Sequence, residues 1–228
     1  MNKEAISRFS ELVGEKNIEK LKNSRVAVFG VGGVGGHVCE ALARSGVGHI
    51  EIFDNDVVSP SNINRQIIAL TSTVGRKKTE VMKERLLDIN PELEIVAHNI
   101  FYSAENADEY PLSSFDYIAD AIDSVKSKLE LIKRAKEAGT PIISSMGTGN
   151  TLDPSRLLIS DISKTEYCPL AKTVRVALRK MGINHLDVVF SKEEPVKTEQ
   201  RTPMSTAFVP GAAGILMASK IVRDIMEE

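Results

Sequence analysis

The sequence predicts an α/β protein built on an open, Rossmann-like, doubly wound and mainly parallel sheet. Three observations carry that expectation. Arg25–Phe29 (RVAVF) and His49–Phe53 (HIEIF) are short apolar runs of the kind that form strands covered on both faces. Between them, Gly30–Gly36 supplies a turn, and Val34, Val38 and Leu42 at helical spacing supply a helix, completing a βαβ unit of about thirty residues. Strand-like and helix-like segments then alternate as far as residue 145, as they do when helices cover both faces of a parallel sheet.

The elements follow in chain order. Residues 1–24 read as a polar helical lead-in anchored by Phe9, Leu12, Val13, Ile18 and Leu21. After the βαβ unit and a polar loop, the spacing predicts a helix from Arg76 to Ile89, stopped by Asn90-Pro91. Glu94–Ala97 and Tyr117–Ala121 read as the third and fourth strands, Lys126–Ala138 as a helix with Gly139 at its C-cap, and Pro141–Ser145 as the fifth strand. Beyond Gly147 the alternation fades. Leu157–Asp161 and Asp187–Phe190 are strand-like runs around a helix at Ala171–Met181. Ser191–Pro210, charged and Pro-containing, is expected to be a mobile loop, and Gly211–Met226 an apolar closing helix. With no repeat and no linker, residues 1–228 are expected to form one domain: a lead-in to 24, a regularly alternating core over 25–150 and a less regular part over 151–228.

Composition narrows the classes. Apolar residues make up 42% and charged residues 26% of the 228, which excludes a collagen, a disordered tail protein and a disulfide scaffold. The net charge of −2 means that any nucleic acid must be met by a local patch rather than a global basic field. The two cysteines, Cys39 and Cys168, are too few for a zinc site or a disulfide framework and suit a reducing, cytoplasmic setting. No apolar run is long enough for a membrane span, and the charged N-terminus lacks a secretory h-region. Cys39 reads as a small buried hydrophobe, and Cys168, before Pro169, is left open as a functional thiol. His37, His49, His98 and His185 have no metal-ligand spacing and are assigned no role.

The sharpest motif is G-x-G-x-x-G at Gly30, Gly32 and Gly35, with Gly33 inside it, placed after a strand and opening a helix. Glycines there permit the tight turn, the close approach of a phosphate and helix–strand packing, while the helix N-terminus offers N–H groups to an anion. Asp54, at the end of the next strand, can bind ribose hydroxyls. This much leaves NAD and ATP open. Arg65 and Lys78 are cations suited to a triphosphate, and Asp123, just past a strand, is a hard oxygen ligand suited to Mg²⁺. Each has a plain structural alternative: a solvated loop arginine, a lysine on an exposed helix face, and, for Asp120 or Asp123, an N-cap before Lys126–Ala138.

The order and spacing of these pieces carry a family resemblance. From GVGGVGG through D-N-D-V-V-x-x-S-N-x-N-R-Q, R-K-K and D-A-I-D-S, residues 8–150 resemble the adenylating domain of ubiquitin-activating-like enzymes, the ThiF/MoeB/HesA-type family. The resemblance implies that Gly30, Gly32, Gly33, Gly35, Asp54 and Asp56 hold adenosine and ribose. It puts phosphate contacts on Asn62, Asn64, Arg65 and Lys78, the Mg²⁺ ligand on Asp123, and further nucleotide contacts on Gln66, Asp120 and Ser124. Arg8, in S-R-F, matches an arginine that reaches the partner's phosphates in homodimeric members, which implies a homodimer with Arg8 acting in trans. The implied chemistry is attack of a carboxylate on the α-phosphate of ATP, giving an acyl-adenylate and pyrophosphate.

Members that adenylate a ubiquitin-like sulfur carrier typically have two C-x-x-C pairs, which this chain lacks. R-F-S-E-L-V-G, I-D-S-V-K-S-K, T-L-D-P-S-R, D-I-S-K-T and V-V-F-S-x-E instead resemble the branch that cyclises threonylcarbamoyladenosine in tRNA. In two respects the chain departs from that branch: Val188 stands where relatives often have cysteine, and a longer apolar tail is missing, so no membrane association is expected. The alternatives are a sulfur-carrier adenylyltransferase, with a carrier or sulfur-relay partner, a nucleotide-binding scaffold and a NAD-dependent dehydrogenase. For tRNA, Lys172, Arg175 and Arg179 fall on one helical stripe, with Lys180 beside it and Lys164 upstream. Lys126, Lys128, Lys133, Arg134 and Lys136 form a second cationic stretch; either stretch is equally readable as a solvated helix face.

Overall fold

The computed structural model describes residues 1–200 and 202–227. The lead-in is two helices, α1 (Lys3–Val13) and α2 (Glu15–Asn23), broken at Gly14. Leu21 is fully buried and Phe9 packs against the core, but Leu12 is 80% exposed and does not anchor the lead-in, whereas Ile6 is buried.

The elements that follow are β1 (Arg25–Phe29), α3 (Gly35–Arg44), β2 (His49–Phe53), α4 (Lys78–Ile89), β3 (Glu94–His98), β4 (Tyr117–Asp120), α5 (Val125–Ala138) and β5 (Ile142–Ser145). Next come β6 (Leu157–Asp161), α6 (Pro169–Lys180), β7 (Asp187–Ser191) and α7 (Phe208–Glu227). Gly139 ends α5 in the left-handed conformation that its lack of a side chain permits. The seven strands lie in the order β3-β2-β1-β4-β5-β7-β6. All neighbours are parallel except β6, which pairs antiparallel with β7 as an edge strand and accounts for the fading alternation beyond Gly147.

Side-chain alternation along the strands builds one core on each face of the sheet. Val26 and Val28 of β1, with Ile50 and Ile52 of β2, pack with Val38 and Leu42 of α3, Met82 of α4 and Met217 of α7. Ala27, Phe29 and Phe53 point the other way, into a core shared with Leu131 of α5 and Val174 of α6. Cys39 is buried in the first core, and burial pushes its thiol far above the ordinary range, so it is an inert hydrophobe.

The stretch from Ser191 to the start of α7, expected to be mobile, is pinned where it is described. Glu193 accepts the N–H groups of Leu152 and Asp153, and Asn150 exchanges hydrogen bonds with Met204 in both directions. The partners in these bonds are about forty to fifty residues apart in the sequence, so the loop's own composition does not reveal them.

Candidate active site

β1 is flanked by β2 and β4, and the helices that follow β1 and β4 pack on opposite faces of the sheet. A crevice therefore opens beyond the carboxyl ends of β1 and β4, at the point where the strand order reverses. Backbone bonds set its edges: Gly30 N–H donates to Phe53 O and Ala121 N–H to Phe29 O, both at 2.8 Å. Gly30 has φ +89°, and a Cβ there would lie 2.7 Å from Ala121 O; at Gly35 it would lie 1.7 Å from Gly30 O. Only glycine lets the loop fold this tightly under the start of α3. The resulting cleft has a volume of about 440 Å³.

The charged groups are held in place by main-chain bonds. Asp54 accepts the Val31 N–H at 2.7 Å through Oδ2 and the Asp56 N–H at 2.8 Å through Oδ1. Burial raises its pKa, and the nearby Lys78 opposes that in part. A bridge between Val57 and Lys77, together with Lys78 N–H donating to Asp56 O, brings the start of α4 against the end of β2. Lys78 is only 5% exposed, and its Nζ lies 2.7 Å from Asp56 Oδ2. Arg65 passes over Gly33 and donates to Ser61 O at 2.8 Å and Asn64 Oδ1 at 3.0 Å. Asp123 is exposed on the cleft wall and, among the described residues, has no hydrogen-bond or ion-pair partner. It does not cap α5, whose N-cap is Ser124.

Two buried polar atoms at the cleft lack a partner among the described residues: Gln66 Oε1 and the Tyr102 hydroxyl. Burial pushes the Tyr102 phenol up to about 12, so it stays protonated as a potential donor. An unpaired buried acceptor is costly, which favours a ligand or water that donates to Gln66.

Of the residues expected at a nucleotide, the cleft gathers Gly30, Gly32, Gly33, Asp54, Asp56, Asn62, Arg65, Gln66, Lys78 and Asp123. Others fall elsewhere. Asp120 is fully buried, its Oδ2 2.7 Å from Lys128 Nζ and also accepting from Ser144 Oγ, and its Oδ1 accepting from Ile122 N–H. On β4 it faces the same side as Ile118, beneath α5, so it is an internal anchor and not a nucleotide contact. Lys128 thereby leaves the second cationic stretch, since it is also wholly buried. Gly35 is buried under the loop, Ser124 stands outside the cleft lining, and Asn64 reaches it only through Arg65 and a 3.1 Å bond to Ser205 O. Arg8 is exposed on α1, outside the cleft of its own chain.

On α6, Lys172, Arg179 and Lys180 are exposed, but Arg175 turns inward and donates to the carbonyl of Thr165 at 2.8 Å and to its hydroxyl. It braces the turn before the helix and leaves the cationic stripe. Cys168 is the N-cap of α6, its Sγ accepting the Ala171 N–H at 3.4 Å.

Several cleft residues escaped the sequence reading. Ile100, Phe101 and Tyr102 form an apolar wall just beyond β3, where an apolar run at the carboxyl edge of a strand was a usable signal. Phe29 and Phe53 stack at 4.2 Å beneath it, with Tyr102 edge-on to Phe29. Thr148 and Ser205 arrive from remote loops, and Pro210 from the first turn of α7, with no local signal. His37 Nδ1 lies 2.8 Å from Gly33 O and props the glycine loop from α3. Chemically, the cleft offers an aromatic wall for a flat ring, carboxylates for hydroxyls, two cations for phosphates and, in Asp123, an exposed carboxylate with no partner among the described residues.

Comparison with known proteins agrees with this geometry. The ThiF family profile matches residues 5–228. A tRNA threonylcarbamoyladenosine dehydratase of Bacillus subtilis is 43% identical over 240 residues, covering 97% of this chain and 94% of that protein. Crystal structures of the Escherichia coli tRNA N6-threonylcarbamoyladenosine dehydratase TcdA superpose with TM-scores of 0.94 in complex with AMP and 0.93 in complex with ATP. Both are 33% identical to this chain and cover 99% of it, and it covers 95% of each. The likeness runs through the lead-in, the glycine loop and the closing helix alike: the chain belongs to the ThiF family.

Proposed function

We propose that this protein is an ATP-dependent enzyme of the cytoplasm that cyclises threonylcarbamoyladenosine in tRNA by removing one water. The observation that carries the reading is the charge arrangement of the cleft: Lys78, Arg65 and the exposed Asp123 line one crevice with the glycine loop. That set suits a triphosphate, and the names of the Bacillus and E. coli relatives point to the acceptor.

In this reading the substrate carboxylate attacks the α-phosphorus of ATP, pyrophosphate leaves, and an acyl-adenylate forms. The neighbouring carbamoyl group then attacks the activated carbonyl and loses an N–H proton, and AMP departs with the former carboxylate oxygen. Lys78 and Arg65 neutralise phosphate charge, and the N–H groups at the start of α3 add to that field. Asp54 and Asp56 accept from ribose hydroxyls, and Gln66 Oε1 takes a donor from the nucleotide. Asp123 fits Mg²⁺, because that ion needs only one or two protein carboxylates beside phosphate oxygens. When bound, the ion would offset charge on the departing pyrophosphate.

For tRNA, the reading uses Lys172, Arg179 and Lys180 on the exposed side of α6, with Lys164 nearby in sequence. Tyr167, 56% exposed and held at φ +57°, adds an aromatic ring suited to base stacking. A homodimer with Arg8 reaching the partner's phosphates is supported by the exposure of Arg8 and of Leu12 one turn further on. Mixing Arg8→Ala and Asp123→Asn subunits should restore part of the activity that each lacks alone.

The direct experiment incubates the protein with ATP, Mg²⁺ and tRNA carrying threonylcarbamoyladenosine, followed by mass analysis of the nucleosides. The expected result is loss of one water from that nucleoside with matching AMP and pyrophosphate. Pyrophosphate release driven by a ubiquitin-like carrier and not by tRNA would favour sulfur-carrier adenylation instead. Release with neither would leave a nucleotide-binding scaffold.

A further inference from the structure

Beside the nucleotide cleft lies a second, smaller cavity of about 170 Å³ that the chemistry above does not use. Its walls include Gly147 and Gly149, Cys168 and Leu170 at the start of α6, Ser191 at the end of β7, and Pro203. Two segments pass directly from this cavity to the cleft. Thr148 lines the cleft between Gly147 and Gly149, which line the cavity, and Ser205 lines the cleft just beyond Pro203. The two spaces therefore share a wall one strand of backbone thick on each side.

The cavity is built rather than incidental. Asn150, at φ +59°, donates its N–H to Met204 O at 2.8 Å and accepts the Met204 N–H at 2.7 Å, while its carbonyl accepts the Val196 N–H at 2.7 Å. The Glu193 carboxylate clasps the N–H groups of Leu152 and Asp153 from the other side. A Cβ on Gly149 would lie 2.6 Å from Pro203 Cβ, so the wall closes only around glycine. Since one water occupies about 30 Å³ of liquid, the space takes a group of a few heavy atoms and excludes a nucleoside.

We propose that this cavity receives the hydroxyethyl side chain of the threonylcarbamoyl group, so that Leu170 and Cys168 determine which amino acid the enzyme accepts. The inference rests on the function proposed above. The carboxylate to be adenylated must lie in the cleft at the α-phosphate. The side chain is borne by the carbon next to that carboxylate, so it must enter a space adjoining the cleft. Leu170 and the backbone of the two glycines suit the methyl group, and the Cys168 thiol and Ser191 hydroxyl, which line the cavity together with Asn150, Thr151 and Glu193, are suited to meet the hydroxyl.

The test compares tRNA carrying threonylcarbamoyladenosine with tRNA carrying glycylcarbamoyladenosine, which has the same carboxylate and no side chain. The wild-type protein should prefer the threonyl substrate by roughly tenfold or more in kcat/KM, as for burial of a small apolar group in a fitted pocket. Leu170→Trp should fill the cavity, cut turnover of the threonyl substrate and leave the glycyl substrate and ATP affinity within about twofold, erasing the preference. As a second variant, Leu170→Ala should raise the relative use of a leucylcarbamoyl substrate. Equal wild-type use of threonyl and glycyl substrates, or equal losses for both in Leu170→Trp, would overturn the side-chain site while leaving the parent reading intact. Wild-type turnover of neither tRNA would overturn both.

Discussion

Asp54 and Val31 are joined by a 2.7 Å hydrogen bond from the Val31 N–H to the Asp54 carboxylate, which ties the glycine loop after β1 to the end of β2. One side chain thus shapes the loop and still presents oxygen lone pairs to the cleft, since an ionised carboxylate has about four acceptor positions.

Because burial holds Asp54 above the ordinary aspartate range of about 3.9, it takes up a proton at a milder pH than an exposed aspartate. Adenosine affinity is expected to be full above that raised pKa and to fall as pH drops through it. Asp54→Asn should be weak throughout and lack this acidic limb; titrating adenosine against both proteins across the acidic range checks it. Folding stability runs the other way. The native state holds the proton more tightly than the unfolded chain, so the Asp54 contribution is greatest below the unfolded pKa and declines as pH rises toward the native one. Urea unfolding of wild type and variant over the same range would show whether that slope exists.

Asp123 has no partner among the described residues and does not cap α5, so Asp123→Asn should leave stability within about 0.5 kcal/mol of wild type. Its activity should fall on the order of a hundredfold, as when a key electrostatic group is removed. Thermal melting beside tRNA-dependent pyrophosphate release separates the two effects. A stable variant with near-normal turnover would remove Asp123 from the metal site.

Lys128 and Asp120 are wholly buried 2.7 Å apart, with Ser144 and the Ser145 carbonyl completing the lysine's bonds. Lys128→Met should destabilise the protein by about 3–5 kcal/mol, because it strands a buried carboxylate. Adding Asp120→Asn should recover part of that loss. Denaturant unfolding of the two single variants and the double gives the coupling, and strict additivity would contradict the pairing.

Arg175 and Arg179 are one turn apart on α6 with different surroundings. Arg175→Glu sets a carboxylate against the Thr165 and Ile162 carbonyls and should cost about 1–3 kcal/mol of stability. Arg179→Glu should leave stability nearly unchanged, weaken tRNA binding and reduce the salt slope of binding by about one. Melting curves and tRNA titrations at several salt concentrations distinguish them; unchanged tRNA affinity in Arg179→Glu would make α6 an ordinary solvated face.

What could be read from the sequence is what depends on near neighbours in the chain. RVAVF and HIEIF form strands because apolar side chains on both faces suit a covered parallel sheet, and Gly30 and Gly35 are demanded by a turn whose tightness is local. Asp54, Arg65, Lys78 and Asp123 were legible as a set because each sits at a strand end, in the loop after β2 or at a helix start on one edge of that sheet. The direction in which a side chain points depends instead on what packs against it from afar. Asp120 and Asp123 are alike in the sequence, yet Lys128 and Ser144 draw one into the core while the other stays exposed. Arg175 is likewise turned away from the Lys172–Arg179 stripe by carbonyls of a turn that precedes the helix. The loop before α7 reads as free because its composition is polar, but the side chains of Asn150 and Glu193 fasten it by accepting backbone N–H groups that lie far away in the sequence. Tertiary structure alone decided these positions, because a buried charge or an unpaired backbone group must find its partner wherever the fold places one.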